Sequence, residues 1–163
     1  MTNIKMKEDE LVCAKIFLNY LAKNYGVEYT ARTNSTEDTC DQWVDVYADP
    51  DSGGDILKMQ AKMIDREFML KGIFLNKNPT QILVRDLETE EWIKREIEKC
   101  DKHYSSDVKK DTVLLLWTPY GGEMNVEYAE KLFLEYNRRR FKGIYFVDIK
   151  SECVIKIKKI EYL

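Results

Sequence analysis

Long hydrophobic runs are missing from this chain, and so are close pairs of cysteines. No stretch of about 18 consecutive apolar residues occurs in its 163 positions, which excludes a membrane-spanning helix. The opening residues, MTNIKMKEDE, carry no apolar segment after their lysines. A secretory signal is therefore not expected, and a cytoplasmic setting is. No Ser/Gly-rich linker, internal repeat or low-complexity tract breaks the chain, so a single domain over residues 1–163 is expected. The four cysteines, Cys13, Cys40, Cys100 and Cys153, are scattered, and none forms a CxxC pair. His103 supplies only a lone Cys-x-x-His with Cys100, whereas a structural zinc site needs four ligands in two close pairs. Reduced thiols, several buried as small hydrophobes, are the expectation.

What is present is an ordinary globular composition, 44% hydrophobic and 34% charged. A net charge of −3 argues against a protein that coats nucleic acid by bulk attraction. The distribution of charge says more. Residues 28–55 hold eight acids (Glu28, Glu37, Asp38, Asp41, Asp45, Asp49, Asp51, Asp55) against Arg32, a net of −7. Residues 138–160 hold eight bases (Arg138, Arg139, Arg140, Lys142, Lys150, Lys156, Lys158, Lys159) against Asp148 and Glu152, a net of +6. An acidic segment and a basic one suit a cation site beside a phosphate-binding surface, and they equally suit two solvated faces.

Apolar spacing predicts a helix over about Glu8 to Tyr25, with Glu10, Ala14, Phe17, Leu18, Leu21 and Tyr25 on one stripe and Gly26 as its stop. Val27 to Thr33 is β-rich, and the polar stretch Asn34 to Asp41 reads as a loop. Gln42–Ala48 alternates, with Val44, Val46 and Ala48 on one face and Trp43, Asp45 and Tyr47 on the other. Turn chemistry follows in Asp-Pro-Asp-Ser-Gly-Gly at 49–54. Ile56–Met63 then alternates again, with Lys58, Gln60 and Lys62 on its polar face, so the pair reads as an antiparallel hairpin. Residues 65–85 show apolar runs without a clean period. A helix is expected from about Leu87 to Tyr104, with Ile93, Ile97, Cys100 and Tyr104 inward. Val113–Trp117 and Ile144–Ile149 read as strands buried on both faces. Between them a helix capped by Asn125 and ending near Arg139 is expected, with Ala129, Leu132, Phe133 and Tyr136 inward. Val154–Ile160 offers a last strand. This order gives an α/β sandwich around a mixed sheet.

The hairpin carries a set of groups suited to phosphodiester hydrolysis with a divalent cation. A hard cation takes oxygen ligands, at least one of them anionic. A nearby lysine orients or deprotonates the attacking water, or stabilises charge in the transition state. Asp45 on one strand, with Gln60 and Lys62 two apart on its partner, supplies these groups on one face. Alternation by itself also fits the wet face of an amphipathic hairpin, and Glu10 fits a surface position in a first helical turn.

Several ordered segments resemble the PD-(D/E)XK phosphodiesterase superfamily, most closely its Mrr-type restriction endonucleases, which carry Gln-x-Lys where most relatives carry Glu-x-Lys. The similar stretches are Glu10-Leu11-Val12, Asp41-x-x-x-Asp45, Gln60-Ala61-Lys62 and the run from Thr112 to Asp148. The resemblance implies a restriction-endonuclease-like sandwich, a mixed central sheet flanked by helices. It implies a Mg2+- or Mn2+-dependent endonuclease that cuts DNA, double-stranded in the first instance, with a metal-activated water. Asp45 would bind the metal, Gln60 would be the second ligand through its side-chain carbonyl, and Asp41 matches a further acidic position. Lys62 would be the catalytic lysine and Glu10 the helix carboxylate that supports the site. Arg138, Arg139 and Arg140 are nominated for DNA contact, at most two of them on one helix face. Cutting both strands with one small domain implies a homodimer. Two features depart from the family pattern: Gln42 and Trp43 replace its small residues between the aspartates, and Gln60 adds no negative charge. They keep open an alternative, a catalytically inactive nuclease-fold module serving nucleic-acid or protein binding.

Overall fold

A helix with an apolar stripe needs a surface to bury it against, and α1 (Asn3–Tyr25) finds one in a mixed sheet. The computed structural model describes residues 3–34, 42–64, 89–119, 131 and 141–163. Along the chain follow β1 (Tyr29–Thr33), β2 (Val46–Pro50), β3 (Leu57–Met63), α2 (Thr89–His103), α3 (Ser106–Asp111), β4 (Thr112–Thr118), β5 (Gly143–Asp148) and β6 (Cys153–Lys158). The strands form one sheet in the order β1-β2-β3-β4-β5-β6. β1, β2 and β3 pair antiparallel, β3, β4 and β5 pair parallel, and β6 returns antiparallel to β5. The α/β class and the mixed sheet expected from the sequence are therefore present. Among the described residues no helix is long and apolar enough to cross a membrane.

Alternation in the strands builds two cores, one on each face. On one face Cys13, Ala14, Phe17, Leu18 and Leu21 of α1 pack on Met59, Ala61, Val113, Leu115, Tyr145 and Val147. On the other, Trp92, Ile93, Ile97 and Cys100 of α2 pack on Leu114, Leu116, Ile144 and Phe146. Fully burying one of the larger apolar side chains stabilises the fold by about 1.5–3 kcal/mol relative to exposure. β4 and β5 are buried along their whole length, which is why they read as continuous apolar runs.

Several boundaries differ from the sequence reading. The strand expected from Gln42 begins at Val46; the Asp45 N–H still donates to the Met59 carbonyl, while the Asp45 side chain accepts the Ala61 N–H. The turn after it closes at Asp51–Gly54, with Gly53 at φ 79° and Gly54 at φ 128°. α3 has no counterpart in the sequence reading. It is six residues long and is capped by the Ser105 hydroxyl, which accepts the Val108 N–H. Cys13 and Cys100 are buried and Cys153 is exposed, all three as free thiols. Residues 65–85, the helix expected from Asn125 to Arg139, and Cys40 lie outside the described residues, apart from position 131.

Candidate active site

The site lies where β2 starts and β3 ends. Asp45 precedes β2 by one residue, and its backbone N–H still donates to the Met59 carbonyl at 3.0 Å. Its Oδ2 accepts the Ala61 N–H at 2.9 Å. Ala61 is the middle residue of Gln60-Ala61-Lys62, so this bond clamps the aspartate to the Gln-x-Lys segment. Burial pushes the Asp45 carboxyl above the usual carboxylate range. The Ala61 N–H, the Lys62 charge and the Lys7 charge draw it part of the way back.

Gln60 and Lys62 share the face of β3 that looks toward α2. Gln60 is only 3% exposed, and its Nε2 donates to the Tyr104 hydroxyl. That leaves the amide carbonyl as the group able to serve another partner. Lys62 is half-buried, and among the described residues it makes no ion pair. Its ammonium acts on two neighbours, Asp45 and the Cys100 thiol. Burial and the Glu96 carboxylate push that thiol up to about 12, against the opposing pull of Lys62 and Lys99. Trp43 donates from Nε1 to the Thr112 hydroxyl at 3.1 Å. Its indole thus reaches from the segment before β2 to the start of β4.

Of the sequence-nominated residues, Asp45 is bonded to the Gln60-Ala61-Lys62 segment through the Ala61 N–H and feels the Lys62 charge, while the Gln60 amide is held by Tyr104. Glu10 is half-buried on α1 and acts on the Cys13 thiol. Asp41, Arg138, Arg139 and Arg140 lie outside the described residues. Sequence reasoning missed Lys7 and the role of Tyr104 as partner of Gln60. Tyr104 carries a signal, its place on the inward stripe of the α2 segment, while nothing in the local pattern singles out Lys7.

Asp45 and Gln60 supply oxygen donors of the kind a hydrated hard cation takes. Asp45 offers its second carboxylate oxygen and Gln60 a neutral carbonyl, and Mg2+ commonly takes one or two carboxylates and completes its shell with water and phosphate. No group of three His, Cys, Asp or Glu side chains gathers among the described residues. Compared with known proteins, the chain matches no family model, no curated protein and no solved structure.

Proposed function

We propose that this chain is a Mg2+- or Mn2+-dependent endonuclease of restriction-endonuclease-like fold that hydrolyses DNA phosphodiester bonds. The observation carrying this reading is the 2.9 Å bond from the Ala61 N–H to Asp45, which brings the carboxylate against the Gln-x-Lys segment. Asp45 and the Gln60 carbonyl would hold the cation. When bound, such a cation lowers the pKa of a coordinated water and offsets charge on the phosphate. Lys62 orients the water through its ammonium protons and stabilises negative charge on the phosphoryl oxygens. Tyr104 fixes the Gln60 amide.

One observation favours a second reading, an inactive nuclease-fold module that binds nucleic acid or protein. Gln60 is nearly sealed from solvent and already engaged by Tyr104. Incubation of supercoiled plasmid with Mg2+ or Mn2+ separates the two. Nicking by the wild type that is lost in Lys62→Ala supports the enzyme; intact plasmid with both metals favours the binding module.

A further inference from the structure

The basic tract near the C-terminus is not used by the site above, and the fold gathers part of it around a cavity. This cavity, about 380 Å3, is lined by Lys110, Phe141, Lys142, Lys158, Glu161 and Tyr162. It sits at the starts of β4 and β5, whereas Lys62 lies near the end of β3, which runs parallel to them. The two sites therefore occupy opposite ends of the parallel strands.

Three lysines reach the cavity from three parts of the chain. Lys110 comes from α3, Lys142 from the residue before β5, and Lys158 from the end of β6. The framework holding them is firm. The Lys142 N–H donates to the Lys109 and Thr112 carbonyls, both at 3.0 Å. The pairing of Ile144 with Lys158 fixes β6 against β5. Ile160 is fully buried, and its N–H donates to the Tyr145 hydroxyl at 3.1 Å, which seats the segment bearing Glu161 and Tyr162. Gly143 permits that seating, since a Cβ there would meet Ile160 Cγ1 at 2.8 Å.

Three ammonium groups against the single carboxylate of Glu161 leave the lining with net positive charge in a chain whose total is −3. A dianionic group compensates such a cluster, and a phosphate monoester carries close to two negative charges above its second pKa of about 6. Tyr162 adds an aromatic wall that is 56% exposed, with the Lys142 ammonium 5.2 Å from its ring centroid. A partly exposed tyrosine ring beside lysines is suited to stacking a nucleobase. The volume falls in the range of small-ligand pockets, roughly 300–1,000 Å3.

We propose that this cavity binds a mononucleotide, with its phosphate on Lys110, Lys142 and Lys158 and its base against Tyr162. The proposal stands apart from the nuclease reading, because it involves neither Asp45 nor a divalent cation. Calorimetric titration in EDTA with AMP, inorganic phosphate and adenosine tests it. AMP is expected to bind most tightly, at least about tenfold more tightly than phosphate, and more weakly as pH falls below about 6. Lys142→Gln/Lys158→Gln should weaken AMP at least about tenfold, and Tyr162→Ala should bring AMP to the level of phosphate. Circular dichroism of each variant checks that it is folded, and the exposed Tyr162→Ala provides a second route if the double variant is not. Absence of AMP binding, equal binding of AMP and phosphate to the wild type, or AMP binding unchanged in folded variants would overturn the proposal.

Discussion

Replacing Asp45 by asparagine and, separately, by alanine divides the two roles of its carboxylate. Asparagine keeps an oxygen for the Ala61 N–H and removes the charge that burial penalises. Alanine removes both. Ala61 is 4% exposed, so its N–H has little access to water once the acceptor is gone. An unsatisfied buried donor costs about 1–3 kcal/mol, so the alanine variant should be less stable than the asparagine variant by that amount. For a chain of this size the gap is about 2–4 °C in Tm per kcal/mol. The pH dependence supplies a second reading. The folded carboxyl is raised above its unfolded value, so the native state binds more protons between the two values. Wild-type stability from this group is therefore greatest in acid, falls as pH rises through the folded value, and stays reduced above it. Asp45→Asn lacks that fall and should exceed the wild type in stability at neutral pH. Urea melts of all three proteins from acid to neutral pH measure both effects. Equal stability of the two variants, or an asparagine variant weaker than wild type at neutral pH, would refute the reasoning.

Gly143→Ala should destabilise the fold by about 1–3 kcal/mol in urea melts, because the added Cβ would meet Ile160 and Tyr145 at 2.8 and 3.0 Å. Tyr104→Phe removes the partner of the Gln60 amide and should cost about 1–3 kcal/mol by the same measurement. In a Cys40→Ser background, iodoacetamide should label exposed Cys153 and spare Cys13 and Cys100, read by peptide mass spectrometry.

Local periodicity made much of this fold legible. Ala14, Phe17, Leu18 and Leu21 repeat at helical spacing and pack on the sheet, and the apolar runs of β4 and β5 are buried on both faces. Alternation in 57–63 set Gln60 and Lys62 on one face. It failed at 42–45, where the pattern continues but the strand does not, and the Asp45 side chain accepts the Ala61 N–H. α3 is too short to show a period, and only its Ser105 cap marks it. The partners that shape the candidate site are far apart in sequence. Tyr104 lies 44 residues from Gln60, and Thr112 lies 69 from Trp43. Contacts of that range follow from the sheet order and leave no mark in local pattern.

Plasmid nicking tests the roles proposed for Asp45, Gln60 and Lys62 most directly. With Mg2+ or Mn2+ the wild type should convert supercoiled plasmid to nicked and linear forms, and EDTA should stop it. Lys62→Ala and Asp45→Asn, both folded by circular dichroism, should lose that activity. Cleavage that persists undiminished in both variants, or a wild type that leaves plasmid intact with either metal, would contradict the account.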